Sequence, residues 1–162
     1  MPNFSWLIDS LDSSLAMQAI FGDDLVRTIL ITDESKSSRK MNRVMLSKLG
    51  LKVVEVVGGG LHIFNHVKAS LIGNSLGKCD GIDMILMTVN LVQNGEPEVV
   101  HRIRQIGFKG IIVCVIGHKS SEVAINLKDK GADAVVLKPI TRDNFLRTIK
   151  GAMSLNKCSS YP

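Results

Sequence analysis

Aromatic residues make up only 4% of the 162-residue chain, and the chain has three cysteines. The cysteines are scattered, without a Cys-x-x-Cys pair and without histidines at metal-binding spacing. This usage is typical of reduced thiols in a cytoplasmic or nuclear protein. Basic residues are spread along the chain and no basic run is interleaved with aromatics. The net charge of +5 therefore does not predict a nucleic-acid partner.

Long hydrophobic runs are also missing. The apolar runs near Ile85 and Ile111 are much shorter than the ~20 residues that a membrane-spanning helix needs. The N-terminus has neither a basic start nor a long apolar stretch, so we expect no signal peptide. Hydrophobic residues still make up 45% of the chain, which is enough to build a core. We expect a folded protein of the cytoplasm, the nucleus or both, without a membrane partner.

Short apolar segments alternate with helical patterns from Arg27 onward. The apolar segments are apolar on both faces, which is typical of a parallel sheet covered by helices on both sides. The sequence therefore predicts an α/β fold with a doubly wound five-stranded parallel sheet, a (βα)5 arrangement. The predicted strands are 28–32, 52–56, 82–88, 111–116 and 134–137. The predicted helices are about 36–49, 61–71, 97–106, 121–130 and 141–153.

The chain divides into a short extension, one domain and a tail. We assign residues 1–25 to an N-terminal extension, in which apolar residues at near-helical spacing indicate a short amphipathic helix. Residues 26–154 form the domain and residues 155–162 a C-terminal tail. In the first helix of the domain, apolar spacing predicts a buried face. Its members are Met41, Val44, Met45, Lys48 and Leu49.

Functional groups of such sheets gather beyond the carboxyl ends of the strands, where the strand order reverses. The residues at these positions are the candidates for a site. Asp33 and Glu34 follow the first strand. The third strand ends on Thr88, the fourth on Ile116, and Lys138 follows the fifth.

These strand ends resemble those of a response-regulator receiver domain, over about residues 26–153. The most specific stretch is the closing block, in which a Gly-Ala-Asp sequence, a short strand and Lys-Pro follow one another. The loop before Ile82 and the histidine at His118 are similar to receivers of plant hybrid histidine kinases. The resemblance implies a CheY-like, flavodoxin-like fold. It is carried by ILITDES at 29–35, ILMT at 85–88, VIGH at 115–118 and GADAVVLKPI at 131–140.

The resemblance also implies a chemistry. An active receiver takes a phosphoryl group from histidine onto an aspartate at the end of the third strand, and Thr88 stands there in this chain. Two acids hold Mg²⁺, which prefers oxygen ligands, and Asp33 and Glu34 match them. A lysine neutralises the phosphoryl oxygens, and Lys138 matches it.

Two further positions depart from the pattern. A hydroxyl is expected after the fourth strand, where this chain has Ile116, and a switching aromatic is expected at Val135. A threonine cannot replace a carboxylate that is both nucleophile and metal ligand. We therefore expect a degenerate pocket formed by Thr88, Ile116 and Lys138. We expect no catalytic residue, no bound cofactor and at most a weak, vestigial Mg²⁺ site at Asp33 and Glu34.

The predicted function is a non-catalytic signalling module of a His-to-Asp phosphorelay, in a plant and related to cytokinin signalling. The resemblance implies a histidine-containing phosphotransfer protein or a hybrid histidine kinase as partner. Two alternatives stay open. One is an atypical but functional response regulator using another carboxylate, for which Asp83 lies at the wrong end of the strand. The other is a flavodoxin-like enzyme, although no phosphate-binding loop follows the first strand.

Overall fold

The structure is a computed structural model that describes residues 28–58, 60–75, 81–89 and 96–159. The extension expected over residues 1–25 lies outside the described residues. Strands and helices alternate along the described chain. The strands are β1 (Thr28–Thr32), β2 (Lys52–Val56), β3 (Met84–Thr88), β4 (Ile111–Ile116) and β5 (Ala134–Leu137). The helices are α1 (Lys36–Lys48), α2 (Gly60–Ser75), α3 (Glu96–Gln105), α4 (Ser121–Lys130) and α5 (Arg142–Ser159).

All five strands pair in parallel in one sheet, in the order β2-β1-β3-β4-β5. The predicted doubly wound α/β fold is confirmed. From β1 the chain moves outward to β2 and then returns to the other side of β1 with β3. The strand order thus reverses between β1 and β3, and at the carboxyl edge Thr32 lies beside Val56 and Met87.

The two faces of the sheet are covered by different helices. One buried cluster joins Leu46 of α1, Leu49 directly after α1 and Phe145 of α5 to alternate residues of the strands. The other joins α2, α3 and α4 to the remaining strand residues, with Val67 and Ile103 among its fully buried members. This alternation explains why the inner strands are apolar except for the threonines at the ends of β1 and β3.

The expected buried face of α1 is wrong for most of its members. Met41 is 68% exposed, Val44 is 48% exposed, and Lys48 is also exposed. Leu49 is buried as expected and Met45 packs partly buried against the same core, whereas the buried residue within the helix is Leu46. The apolar stripe of this helix is wider than the surface that the sheet covers, and the spacing alone does not show which side packs.

Several boundaries also differ from those expected. β3 begins at Met84 rather than at Ile82, and α2 continues through Gly73 to Ser75 instead of ending near Leu71. α5 extends to Ser159, past the expected end near Met153 and into the predicted tail. β4 and β5 have the bounds that the sequence predicts. No helix in the described part of the chain is long and apolar enough to cross a membrane.

Candidate functional site

Three of the candidate residues meet at the carboxyl edge of the sheet, at the reversal point between β1 and β3. Asp33 directly follows β1, and Thr88 is the last residue of the neighbouring β3. Lys138 follows β5, two strands away from β3, and its long side chain spans the distance. The parallel arrangement therefore brings together groups that are 105 residues apart in sequence.

The centre of this group is the Asp33 carboxylate, whose side chain is only 4% exposed. Its Oδ2 atom accepts a hydrogen bond from Thr88 Oγ1 at 3.0 Å and is 2.9 Å from Lys138 Nζ. Its Oδ1 atom accepts the Ser35 backbone N–H at 2.8 Å. A buried carboxylate is costly unless it is paired and hydrogen-bonded, and both oxygens of Asp33 have partners.

The loop after β1 is fixed by the start of α1. Ser35 caps the helix, with its hydroxyl oxygen accepting the Ser38 N–H at 3.3 Å. The Arg39 guanidinium donates to the backbone carbonyls of Asp33 and Glu34. Sequence reasoning missed Arg39. Its signal is a basic residue four positions after the cap, which a first helical turn places beside the loop.

Ile116 and Val135, the two further positions that depart from the receiver pattern, pack in an apolar cluster. Ile116 ends β4 with 3% exposure and packs in the apolar cluster on the α2, α3 and α4 side. Its carbonyl accepts the Lys138 N–H at 3.0 Å, which holds the base of the lysine against β4. Val135 packs half-buried against the same cluster. Neither side chain has a hydrogen-bond donor.

The donor set is poorer in carboxylates than Mg²⁺ prefers. Within the described ranges, no three or more His, Cys, Asp or Glu residues are grouped so that they could hold a metal ion. Asp33 already accepts hydrogen bonds from the Lys138 ammonium, the Thr88 hydroxyl and the Ser35 N–H. Thr88 itself offers only a neutral oxygen. Glu34 is exposed. A hard dication is bound best by several carboxylate oxygens, so Asp33 and Glu34 would hold Mg²⁺ only weakly.

The charges of this group are compensated without a ligand. Asp33 carries one negative charge and Lys138 one positive charge, at 2.9 Å, and Thr88 adds a hydrogen bond without adding charge. No carboxylate stands at the end of β3, because Thr88 occupies that position. Asp83, which directly precedes β3, lies at the opposite edge of the sheet and accepts the Thr28 N–H at 2.9 Å.

A sequence model of the response regulator receiver domain matches residues 29–150. The chain belongs to this family. A search of curated proteins gave no significant match.

Solved receiver domains share the fold. The receiver domain of the histidine kinase CKI1 from Arabidopsis thaliana, complexed with Mg²⁺ and BeF3⁻, has a TM-score of 0.69 at 23% identity. The match covers 88% of this chain and 95% of that one. A CheY-like receiver domain protein from Methanospirillum hungatei has a TM-score of 0.65 at 17% identity, covering 84% and 100%. The signal receiver domain of NarL from Mycobacterium tuberculosis has a TM-score of 0.63 at 17% identity. The match covers 83% of this chain and 98% of that one.

Membership in the family makes this chain a receiver domain of a two-component signalling system. Receiver domains are generally signalling modules rather than enzymes, and they interact with histidine kinases or phosphotransfer proteins. The roles of Asp33, Glu34, Thr88, Ile116 and Lys138 stay predictions, to which the structure adds the contacts among Asp33, Thr88 and Lys138.

Proposed function

We propose that this receiver domain has lost phosphoacceptor activity and acts by binding another protein of a His-to-Asp phosphorelay. The observation that carries the proposal is the pair of contacts that Thr88 and Lys138 make to Asp33. Thr88 occupies the end of β3, where an active receiver has its aspartate, and it donates its hydroxyl to the acid after β1. The pocket therefore has no carboxylate in the acceptor position.

Phosphoryl transfer onto a side chain depends on a positioned nucleophile and on groups that stabilise developing charge. A threonine hydroxyl is a weak nucleophile unless a general base activates it. The acid in contact with Thr88 is Asp33, which is already paired with Lys138 at 2.9 Å. Ile116 offers no hydroxyl to an incoming phosphoryl group. These features support a pocket that keeps the receiver fold around it but does not accept a phosphoryl group.

The proposed partner is a histidine-containing phosphotransfer protein or a hybrid histidine kinase. A receiver that binds such a protein without accepting phosphate competes with active receivers for it. Fewer phosphoryl groups then reach the active receivers. The resemblance of the loop before Ile82 and of His118 to receivers of plant hybrid histidine kinases is the basis for a plant setting, for which we propose the cytokinin pathway. We propose a cytoplasmic or nuclear location, and Asp33 and Glu34 as a weak vestigial Mg²⁺ site.

The test pairs phosphotransfer with binding. A plant histidine phosphotransfer protein, radiolabelled on its histidine, is mixed with this chain and Mg²⁺, and label on each protein is followed over time. Binding of the same two proteins is measured by calorimetry. An active plant receiver run in parallel verifies that the donor is competent. We expect binding without transfer of label, and slower transfer to the active receiver when this chain is in excess.

Label that appears on this chain at the rate of the active receiver would support the atypical but functional response regulator instead. Mass spectrometry of the labelled protein would then locate the acceptor. Absence of binding to phosphotransfer proteins and to kinase receiver regions alike would overturn the proposed role as a competitor.

A further inference from the structure

The outward side of α1 forms an apolar groove of about 460 Å³ beside the start of α5. Its walls are the side chains of Met41, Val44, Met45 and Leu49. Met41 is 68% exposed and Val44 is 48% exposed. Because these two residues are three positions apart on one helix, they lie on the same side of it. Apolar side chains exposed together in this way mark an interaction site more often than scattered ones do.

The size and the lining of the groove suit a small molecule. Ligand sites commonly have volumes of about 300–1,000 Å³ and are mostly apolar, with a few polar groups that orient the ligand. The volume of about 460 Å³ lies within this range. The flexible thioether side chains of Met41 and Met45 adapt to apolar groups of different shape. From Lys40 to Lys48 the groove is roughly 12 Å long, shorter than an average helix of about 17 Å, so a small molecule fills it better than a partner helix does.

The polar groups around the groove are positively charged. Lys40 and Lys48 stand at its two ends along α1, and both are exposed. Neither lysine forms an ion pair within the described part of the chain. Arg142, which contacts Asp143 at 3.6 Å, is the third cation. None of the described residues that line the groove is acidic, so the groove favours a ligand with a negative charge.

The fold places two of these cations at the same end of the groove. α1 and α5 both begin at the carboxyl edge of the sheet, because each follows a strand of the parallel sheet. Lys40 is in the first half of α1, and Arg142 is the first residue of α5. Lys48, the last residue of α1, lies towards the opposite edge. An anionic group is therefore held best at the end formed by Lys40 and Arg142.

We propose that this groove binds a small amphipathic anion, an aliphatic or aromatic acid with its apolar part on Met41, Val44 and Met45 and its acidic group at the Lys40 end. Contact of the apolar part with these side chains removes both surfaces from water, which supplies most of the affinity. The acidic group stays at the rim, where it pairs with a cation while keeping part of its hydration. A neutral molecule with the same apolar part binds in the same place, but more weakly.

The test compares octanoate with octanol, which have the same apolar chain and differ in charge. Each is titrated, below the concentration at which octanoate forms micelles, into the full chain while ¹H–¹⁵N correlation spectra are recorded. We expect the amide shifts to centre on α1 and the start of α5. Octanoate should bind about threefold more tightly than octanol, which is the effect of one exposed ion pair.

Four variants separate the roles of the walls and of the rim. M41E/V44E places charge where the apolar part lies, so it should weaken both compounds roughly tenfold. I125E is the matched control, since Ile125 is 61% exposed on α4 on the opposite side of the sheet, and it should bind as wild type does. K40M should reduce the affinity for octanoate to that for octanol. K48M, at the other end, should leave both affinities unchanged, and melting curves verify that each variant is folded.

Three results would overturn the proposal. The first is a set of amide shifts that does not centre on α1, or that is the same in M41E/V44E as in I125E. The second is an equal effect of K40M and K48M on octanoate, including no effect of either. The third is a dilution series in which the shifts of α1 follow dissociation of a dimer, which would assign the groove to a second copy of the chain. None of these measurements uses a phosphorelay partner, so the outcome is independent of the proposed function.

Discussion

At the end of β3, a hydroxyl in place of a carboxylate changes both the charge and the hydrogen bonding of the pocket. The Thr88 hydroxyl is a donor to Asp33 Oδ2 at 3.0 Å, whereas an ionised aspartate is only an acceptor. Lys138 thus has one carboxylate to neutralise, and its Nζ atom lies 2.9 Å from Asp33 Oδ2. The pocket is close to neutral without a metal ion.

Restoring the acid, Thr88→Asp, should reverse this balance. Two carboxylates would then adjoin one ammonium group, and like charges that share a site repel by roughly 1 kcal/mol for each pKa unit of interaction. We expect the variant to be less stable than wild type by about that amount in EDTA. Millimolar Mg²⁺ should recover much of the loss, because a ligand that binds only the folded state stabilises it. The measurement is a pair of melting curves, with EDTA and with Mg²⁺.

The matched control is Thr88→Asn, which has the shape of aspartate without its charge. We expect Mg²⁺ to leave its melting temperature unchanged, as in wild type. If the aspartate variant melts no lower than the asparagine variant in EDTA, and Mg²⁺ shifts both equally, then residue 88 does not share a site with Asp33. The receiver-like interpretation of the pocket would then be wrong.

At the scale of elements, one arginine joins α3 to the loops at the amino edge of the sheet. Arg104 donates to the carbonyls of Gly131 at 2.9 Å, Phe108 at 3.0 Å and Gly110 at 2.7 Å. It also forms an ion pair with Asp133 at 2.7 Å, and Asp133 Oδ2 accepts the Ile112 N–H at 2.8 Å. The guanidinium therefore connects the loops that precede β4 and β5.

Substituting this side chain, Arg104→Met, should destabilise the fold by about 2–3 kcal/mol. Hydrogen bonds to charged groups contribute ~1.5–3 kcal/mol, and Asp133 would lose its ion-pair partner. Lysine is a poor replacement, since it lacks the planar fork. The control is Lys130→Met, which removes an exposed pair with Glu98 at 3.4 Å and should cost less than about 1 kcal/mol. Urea unfolding curves of the three proteins measure the difference. Equal midpoints for both variants would contradict this role of Arg104.

The predicted bounds are accurate where glycine or proline ends an element. β4 is an uninterrupted apolar run between Gly110 and Gly117, and β5 ends at a Lys-Pro pair, so both were predicted within their observed bounds. α2 has no such stop, and Gly73 lies within the helix rather than ending it. A glycine inside a helix costs about 1 kcal/mol, which packing of the preceding turns offsets.

The site was predictable only as far as topology determines it. Parallel strands place their carboxyl ends at one edge, so the approach of Asp33, Thr88 and Lys138 follows from the pattern of elements. The contacts of Arg104 to three carbonyls and of Asp83 to Thr28 depend on loop geometry between distant segments. The outward direction of Met41 depends on how α1 rotates against the sheet. Sequence spacing determines neither the loop geometry nor the rotation of α1.

At the scale of the whole molecule, the state of the pocket decides whether the domain has a second conformation to adopt. A ligand shifts a conformational equilibrium only by its different affinity for the two states. Asp33 and Lys138 already satisfy each other, and Ile116 and Val135 offer neither a hydroxyl nor a ring that responds to a phosphoryl group. If the pocket has lost its chemistry as proposed, a phosphoryl mimic has no preferred state of the domain to stabilise.

We therefore expect Mg²⁺ with beryllofluoride, or with acetyl phosphate, to leave the amide spectrum of the protein essentially unchanged. The measurement is a series of ¹H–¹⁵N correlation spectra at increasing reagent concentration. The receiver domain of the Arabidopsis histidine kinase, whose crystal structure contains Mg²⁺ and BeF3⁻, serves as the positive control for the reagent. Small shifts at Asp33 and Glu34 alone would indicate weak Mg²⁺ binding and agree with a vestigial site. Large shifts at Thr88, Lys138 and the β4 end would show a working acceptor pocket and contradict the loss of chemistry inferred from Thr88 and Ile116.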